Sequence, residues 1–284
     1  MPPRENPTAR QARLGGELRK LRERAGKTAR EAAAMISTDQ AKISHIEAGR
    51  IGVSEDRIRQ LTAFYECGDE ALVEALCAIA REKRGQHWWD DYRGILAPGF
   101  LDIADLEHHA TSLRYLQPVT FPGILQTEDY AQALFASAIP QLSDDELKAR
   151  VEHRMKRREI LERDTPSPFQ ILVHEAALRM RVGGRKVARR QLEHLLSTSE
   201  HPGLTLQVIP FTREEFIEVT QTVMYAGGVV PQLDTVHIDT PLGGRYLGAV
   251  ADLDRYRTLL GVAEQAALTP EESQNFIHRC ARDL

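Results

Sequence analysis

TAREAAAMISTDQAKISHIEAGR, residues Thr28 to Arg50, is the stretch on which the fold turns. Thr28 and Glu31 form a T-x-x-E pattern, in which a cap hydroxyl and a third-position carboxylate satisfy each other's backbone N–H groups. The small apolar run Ala32-Ala33-Ala34-Met35 predicts a short helix ending near Ile36-Ser37. Ser37, Thr38 or Asp39 can cap a second helix, whose Ile43 and Ile46 share one face at i, i+3 spacing. That arrangement leaves Gln40, Ala41, Lys42, Ser44 and His45 outside. Gly49 supplies the stop, because it enters the left-handed region without a Cβ penalty.

Outward from this pair, residues before Arg10 read as a loose arm, and a first helix follows with Leu14, Leu18 and Leu21 on its inner face. Gly15-Gly16 costs helix propensity and blurs its start. Arg19, Lys20, Arg22 and Arg24 lie mostly on its other sides. Ser54 caps a fourth helix, with Glu55 and Asp56 in the favourable first turn and Ile58, Leu61 and Phe64 or Tyr65 inward. A fifth runs from Asp69 to about Arg84 on Leu72, Leu76 and Ile79.

Two capped helices joined by a tight turn, the second with an exposed polar face, are the parts of a helix-turn-helix. STDQAKISHIEAGR resembles the recognition helix and following turn of the lambda-repressor-like (XRE) family, whose apolar-Glu-x-Gly ending is matched by Ile46-Glu47-Ala48-Gly49. The resemblance implies an all-α five-helix domain over residues 10–84 that reads double-stranded DNA. It puts Gln40, Ala41, Ser44 and His45 toward base edges and Lys42 toward base or phosphate. Thr28, Arg30 and Arg50 are the phosphate candidates, joined by one or two of the basic residues of the first helix. One reading helix per chain makes a homodimer on a pseudo-palindromic operator the economical arrangement.

The charge supports this division. The chain has 284 residues and a net charge of −4, yet residues 10–65 hold twelve Lys/Arg against seven Asp/Glu, a net +5. Residues 1–9 balance, so the remainder carries −9. A basic head on an acidic body fits a nucleic-acid module joined to something that does not bind nucleic acid. No run approaches the ~18 apolar residues of a membrane span, and MPPRENPTAR lacks an apolar signal core. Cys67, Cys77 and Cys280 form no C-x-x-C pair. Reduced thiols and a cytoplasmic, nucleoid-associated protein are the expectation.

Gly85 marks a boundary, and His87-Trp88-Trp89-Asp90-Asp91-Tyr92 places both tryptophans in an aromatic, acidic linker over residues 85–100, where they are expected to anchor it. Residues 101–284 read as a mixed α/β domain, making the whole chain α+β. Extended segments are predicted at Ala110–Leu116, Phe169–Val173, Leu204–Ile209, Thr220–Tyr225 and Thr235–Ile238. Helices are predicted from Thr127 to about Ser137, after Ser143, at Glu175–Met180, from Arg185 to about Ser197, at Asp252–Leu260 and at Pro270–Ala281.

Phe121-Pro-Gly-Ile-Leu-Gln-Thr-Glu-Asp-Tyr130, His174-Glu-Ala-Ala-Leu178, Gln191-Leu-x-His-Leu195, Val208-Ile-Pro-Phe211 and Leu268-Thr-Pro-Glu-Glu-Ser273 follow in that order. They resemble the C-terminal domain of unknown function, with its PGLLQT-like motif, found behind such heads in actinobacterial WhiJ-like regulators. The resemblance covers roughly Leu101 to Arg282. It implies a domain that senses a partner protein or ligand, and often a small partner protein encoded nearby. An antitoxin-like module that binds the small partner, with DNA binding for autoregulation, is the alternative; a small-molecule-sensing or enzymatic body is the weaker one.

No G-x-S-x-G, H-E-x-x-H or phosphate loop is present, so no catalytic residue is assigned and no enzyme is expected. The histidines lack metal-ligand spacing; no metal and no cofactor are assigned. His174-Glu175 reads as a structural pair at a strand-to-helix junction. Gly183-Gly184-Arg185 and Gly243-Gly244-Arg245 read as turns, although either can receive an anion.

Overall fold

The computed structural model describes residues 7–82, 85–163, 167–214, 220–240 and 243–284. Residues 83–84, which the sequence placed at the end of the fifth helix, fall outside that set. Five helices build the head: α1 (Ala9–Arg24), α2 (Ala29–Met35), α3 (Gln40–Glu47), α4 (Glu55–Phe64) and α5 (Glu70–Arg81). α1 starts at Ala9 because Thr8 and Gln11 make a reciprocal capping box. The sequence carries that signal as T-x-x-Q.

The first four helices all end in one way. A residue enters the left-handed region, its N–H reaches the third carbonyl back and the next N–H the fifth. The residues are Gly26, Ser37, Gly49 and Glu66, with φ of 66°, 50°, 71° and 57°. Gly15 is no flaw in α1. A Cβ there would stand 2.4 Å from the Ile46 carbonyl oxygen, so its bareness lets the end of α3 lie against α1.

The body opens with a 3-10 turn at Trp88–Tyr92 and α6 (Pro98–His109). It continues with β1 (Ser112–Gln117), α7 (Glu128–Ala136), α8 (Asp144–Lys156), β2 (Phe169–His174), α9 (Glu175–Arg179) and α10 (Arg185–Thr198). Then come β3 (Leu204–Ile209), β4 (Val223–Gly227), β5 (Thr235–Thr240), β6 (Gly243–Leu247), α11 (Val250–Ala266) and α12 (Pro270–Asp283). The six strands form one mixed sheet in the order β3-β2-β1-β4-β5-β6, with β1, β2 and β3 parallel and the other pairs antiparallel. Alternation sorts the side chains into two layers. Leu113, Tyr115, Ile171, Val173, Leu206 and Val208 enter a core with Leu192 and Ile277, whereas Leu116, Leu172, Ile209 and Val236 pack with Leu253 and Leu260 of α11.

The sequence did not announce β6, which is exposed at the sheet edge, or α6, which opens inside the stretch read as a linker. α11 runs past Leu260 because its tail of small residues, Ala263 and Ala266, is buried. The 85–100 stretch is folded onto the body, with Trp89 and Tyr92 buried among Leu101, Ala104 and Ala149.

Head and body dock through α1. Val230 and Leu233, from the loop between β4 and β5, enter the head's hydrophobic core. Arg13 donates to the carbonyls of Gln232 and Asp234, and Lys20 Nζ donates to the Gly248 carbonyl at 2.9 Å. Arg10, held by Glu82 of the head at 2.7 Å, stands 3.9 Å from Asp105 of α6.

His153 is fully buried amid the rings of Trp88, Tyr92 and Phe100, and among the described residues neither ring nitrogen has a hydrogen-bond partner. Burial, then the neighbouring Arg157, Arg154 and Lys156, push its pKa down to about 3. The unfolded chain protonates His153 below its ordinary 6.5 while the folded chain refuses, so stability falls as pH drops from 6.5 toward 3, by about 1.4 kcal/mol per unit. His108, pushed down to about 4 by burial, adds to the fall. Asp102, pushed up to about 6 by burial, opposes it. In urea unfolding at pH 7 and pH 5, the parent chain is expected to lose about 2 kcal/mol more than His153→Phe; equal losses would show that His153 titrates normally.

Candidate nucleic-acid interface

Ile43 and Ile46, each 1% exposed, pin α3 to the head core. Gln40, Ala41 and Ser44 are exposed and Lys42 and His45 are half-buried, so the five candidate base readers surround the anchored face. Asp39 caps the helix, its carboxylate accepting the Lys42 N–H at 2.7 Å. Gln40 and Ala41 therefore stand in the first turn, the end that enters a groove in this motif. Ser44 Oγ donates to the Gln40 carbonyl at 3.2 Å, leaving its lone pairs to accept.

α2 is capped as its sequence requires. Thr28 Oγ1 accepts the Glu31 N–H at 3.2 Å and donates to the Glu31 carboxylate at 2.7 Å. The Thr28 hydroxyl is thus committed within its own helix. Arg30 and Arg50 are exposed, and no described carboxylate lies within ion-pair distance of either, or of Lys42.

Of the four basic residues of α1, one or two of which the sequence offered as phosphate contacts, Arg22 and Lys20 are tied up within the fold. Arg22 makes a two-point contact with Glu47, at 2.6 and 2.9 Å, and donates to the Lys27 carbonyl at 2.9 Å. It ties the end of α1 to the end of α3 and turns the only acid of α3 away from the reading face. Lys20 is held by Glu17 and the body. Arg19 is exposed and paired with Glu23, and Arg24 is exposed.

Other clusters have local explanations. His174 Nδ1 accepts the Ala176 N–H at 3.3 Å, capping α9, while Glu175 accepts from Phe211 N–H and Arg179. Glu82, Asp105 and His109 bring ligand atoms within 4.8 Å of one another, with the Arg10 guanidinium already at Glu82. Cys67, Cys77 and Cys280 are free thiols, and no described helix is long and apolar enough to cross a membrane.

The geometry is that of a helix-turn-helix, the fold of DNA-binding regulators, and residues 13–76 match the family model described as "Helix-turn-helix domain". Residues 100–279 match the model of "Domain of unknown function (DUF5753)". The chain belongs to that family. No curated protein and no solved structure matches it.

Proposed function

We propose that the chain is a sequence-specific transcriptional regulator, cytoplasmic and nucleoid-associated, that binds a pseudo-palindromic operator as a homodimer. The carrying observation is the polar face of α3: Gln40, Ala41 and Ser44 exposed over the buried pair Ile43 and Ile46. In this reading Gln40 pairs two-fold with adenine, Ala41 meets a thymine methyl and His45 donates to a guanine acceptor. Lys42, Arg30 and Arg50 carry phosphate contacts, with Thr28 beside them at the start of α2. The body senses a partner protein or ligand and performs no catalysis. The same reading sets the chain among XRE-type actinobacterial regulators of the WhiJ-like kind, on Ile46–Gly49 and on the Phe121–Tyr130 motif.

Base and phosphate roles separate experimentally. Gln40→Ala is expected to lower discrimination between operator and random duplex by about 1–3 kcal/mol. Arg50→Ala is expected to weaken both alike and to flatten the slope of log affinity against log salt by about 0.9. Genome-wide crosslinking of tagged parent and Gln40→Ala/His45→Ala chains tests the whole reading. A few sharp peaks lost in the variant support it; broad or unchanged peaks refute it.

A further inference from the structure

A cavity of about 790 Å³ opens in the body between α6, the Phe121–Gln126 segment, α8 and the β4-β5-β6 side of the sheet. Its size falls in the range of small-molecule sites. Phe100, Ile103, Phe121, Leu134 and Met224 give it apolar walls, and Arg154 supplies a cation.

Arg154 is held in place rather than neutralised. Its Nη1 donates to Gln126 Oε1 at 2.7 Å, and its guanidinium carbon sits 4.6 Å from the centre of the Phe135 ring. Gln126, 1% exposed, is fixed in turn by donating to the Phe121 carbonyl at 2.6 Å. Among the described residues no carboxylate lies within ion-pair distance of Arg154, whereas Arg150 on the same helix has Glu146 and Arg157 has Glu107. Among the described residues neither its Nε, which is closed off from solvent, nor its Nη2 makes a hydrogen bond. Burial and the nearby Arg157 pull its pKa down to about 9. A part-buried guanidinium with no carboxylate in ion-pair contact keeps an unmet charge, and a guanidinium is the group best shaped to receive a carboxylate.

The wall around it is cut to fit. A Cβ on Gly123 would stand 2.7 Å from Arg157 Nη1 and 2.9 Å from Arg154 Cδ, so the bare backbone of the Pro-Gly pair lets both arginines pass. Tyr246 Oη, also on the cavity, has no hydrogen-bond partner among the described residues. Two acids border the cavity, Asp102 and Asp239: Asp102 accepts the Ala9 N–H at 3.4 Å, and Asp239, largely exposed, stands 3.7 Å from His237 and adds to the field that favours the charged Arg154. With Arg157 paired to Glu107, one cation unpaired among the described residues, with acids beside it, disfavours a polyanion and selects a single compact negative group on an apolar body.

We propose that this cavity binds a small organic acid, its carboxylate received by the Arg154 guanidinium and its apolar part against Phe100, Ile103 and Leu134. The proposal rests on the reading of the body as the sensing part, but its test involves no DNA, so either can fail alone. Titration calorimetry on the full chain would use the straight-chain acids from butanoate to decanoate and their phenyl-substituted counterparts, each against its primary amide. At least one carboxylate is expected to bind saturably, about tenfold tighter than its amide. Arg154→Gln is expected to erase that preference and Arg150→Gln to keep it. Should Arg154→Gln lose its folded circular-dichroism signal, Ile103→Trp, which fills the cavity, is expected to abolish binding of acid and amide together. No saturable carboxylate in the panel, a preference that survives Arg154→Gln, or undiminished binding to Ile103→Trp would each overturn the proposal.

Discussion

Glu107→Leu is expected to lower the unfolding free energy by about 3–5 kcal/mol, the cost of leaving a buried charge without its partner. Glu107 and Arg157 are 2% and 4% exposed and meet in a two-point contact, one arm at 2.7 Å. Tyr115 donates its hydroxyl to the same carboxylate at 2.8 Å. Burial alone would depress the Arg157 pKa; the carboxylate outweighs it and holds the group above its ordinary value. Removing Glu107 therefore strands a cation and a hydroxyl in the centre of the body. The triple change Glu107→Leu/Tyr115→Phe/Arg157→Met removes every member of the set and is expected to recover most of the loss. Urea unfolding of the parent, single and triple variants measures both. A single variant within 1 kcal/mol of the parent, on the scale of an exposed pair, would mean that the contact does not form.

Gly49→Ala is expected to cost about 2–5 kcal/mol and to abolish DNA binding, because two penalties coincide there. The residue sits at φ 71°, where a Cβ costs roughly 1–2 kcal/mol. That Cβ would also stand 2.8 Å from the Ala12 backbone, and forcing atoms into a packed core costs about 1–3 kcal/mol more. Gly26 is the internal control. It has nearly the same conformation, φ 66°, with nothing within 4 Å of the added atom, so Gly26→Ala is expected to show the first penalty only. Thermal unfolding of the pair checks the ranking; equal losses would remove the close approach of α1 and α3 as an energetic feature.

The head was readable because its signals are local. T-x-x-E, Ile43 with Ile46, and Gly49 each act within one turn of helix and appear where their residues imply; of the three possible caps of α3 the fold uses Asp39, whereas Ser54 stands at the cap of α4 without a side-chain hydrogen bond. Gly15 was misread for the opposite reason: its neighbour, Ile46, lies 31 residues further along the chain, and propensity sees only the disfavoured helix glycine. Arg22 and Lys20 follow the same logic. A basic residue beside a helix-turn-helix reads as a phosphate contact until the fold brings Glu47 and the Gly248 carbonyl to it. The body's β6 carries two glycines on an exposed edge, and α6 begins within an aromatic run, so neither has the periodicity that marks a buried element. The Phe121–Tyr130 motif was visible as a pattern, but its chemistry was not. Only the folded chain lays Gly123 beneath two arginines and Gln126 against one of them.

Selection of bound duplexes from a random-sequence library by the purified chain bears most directly on the reading of α3 as a sequence reader. The expected result is one enriched motif with two-fold pseudo-symmetry for the parent, half-sites about one helical turn apart, and altered base preference in Gln40→Ala. No enrichment, or the same motif from parent and variant, would contradict it.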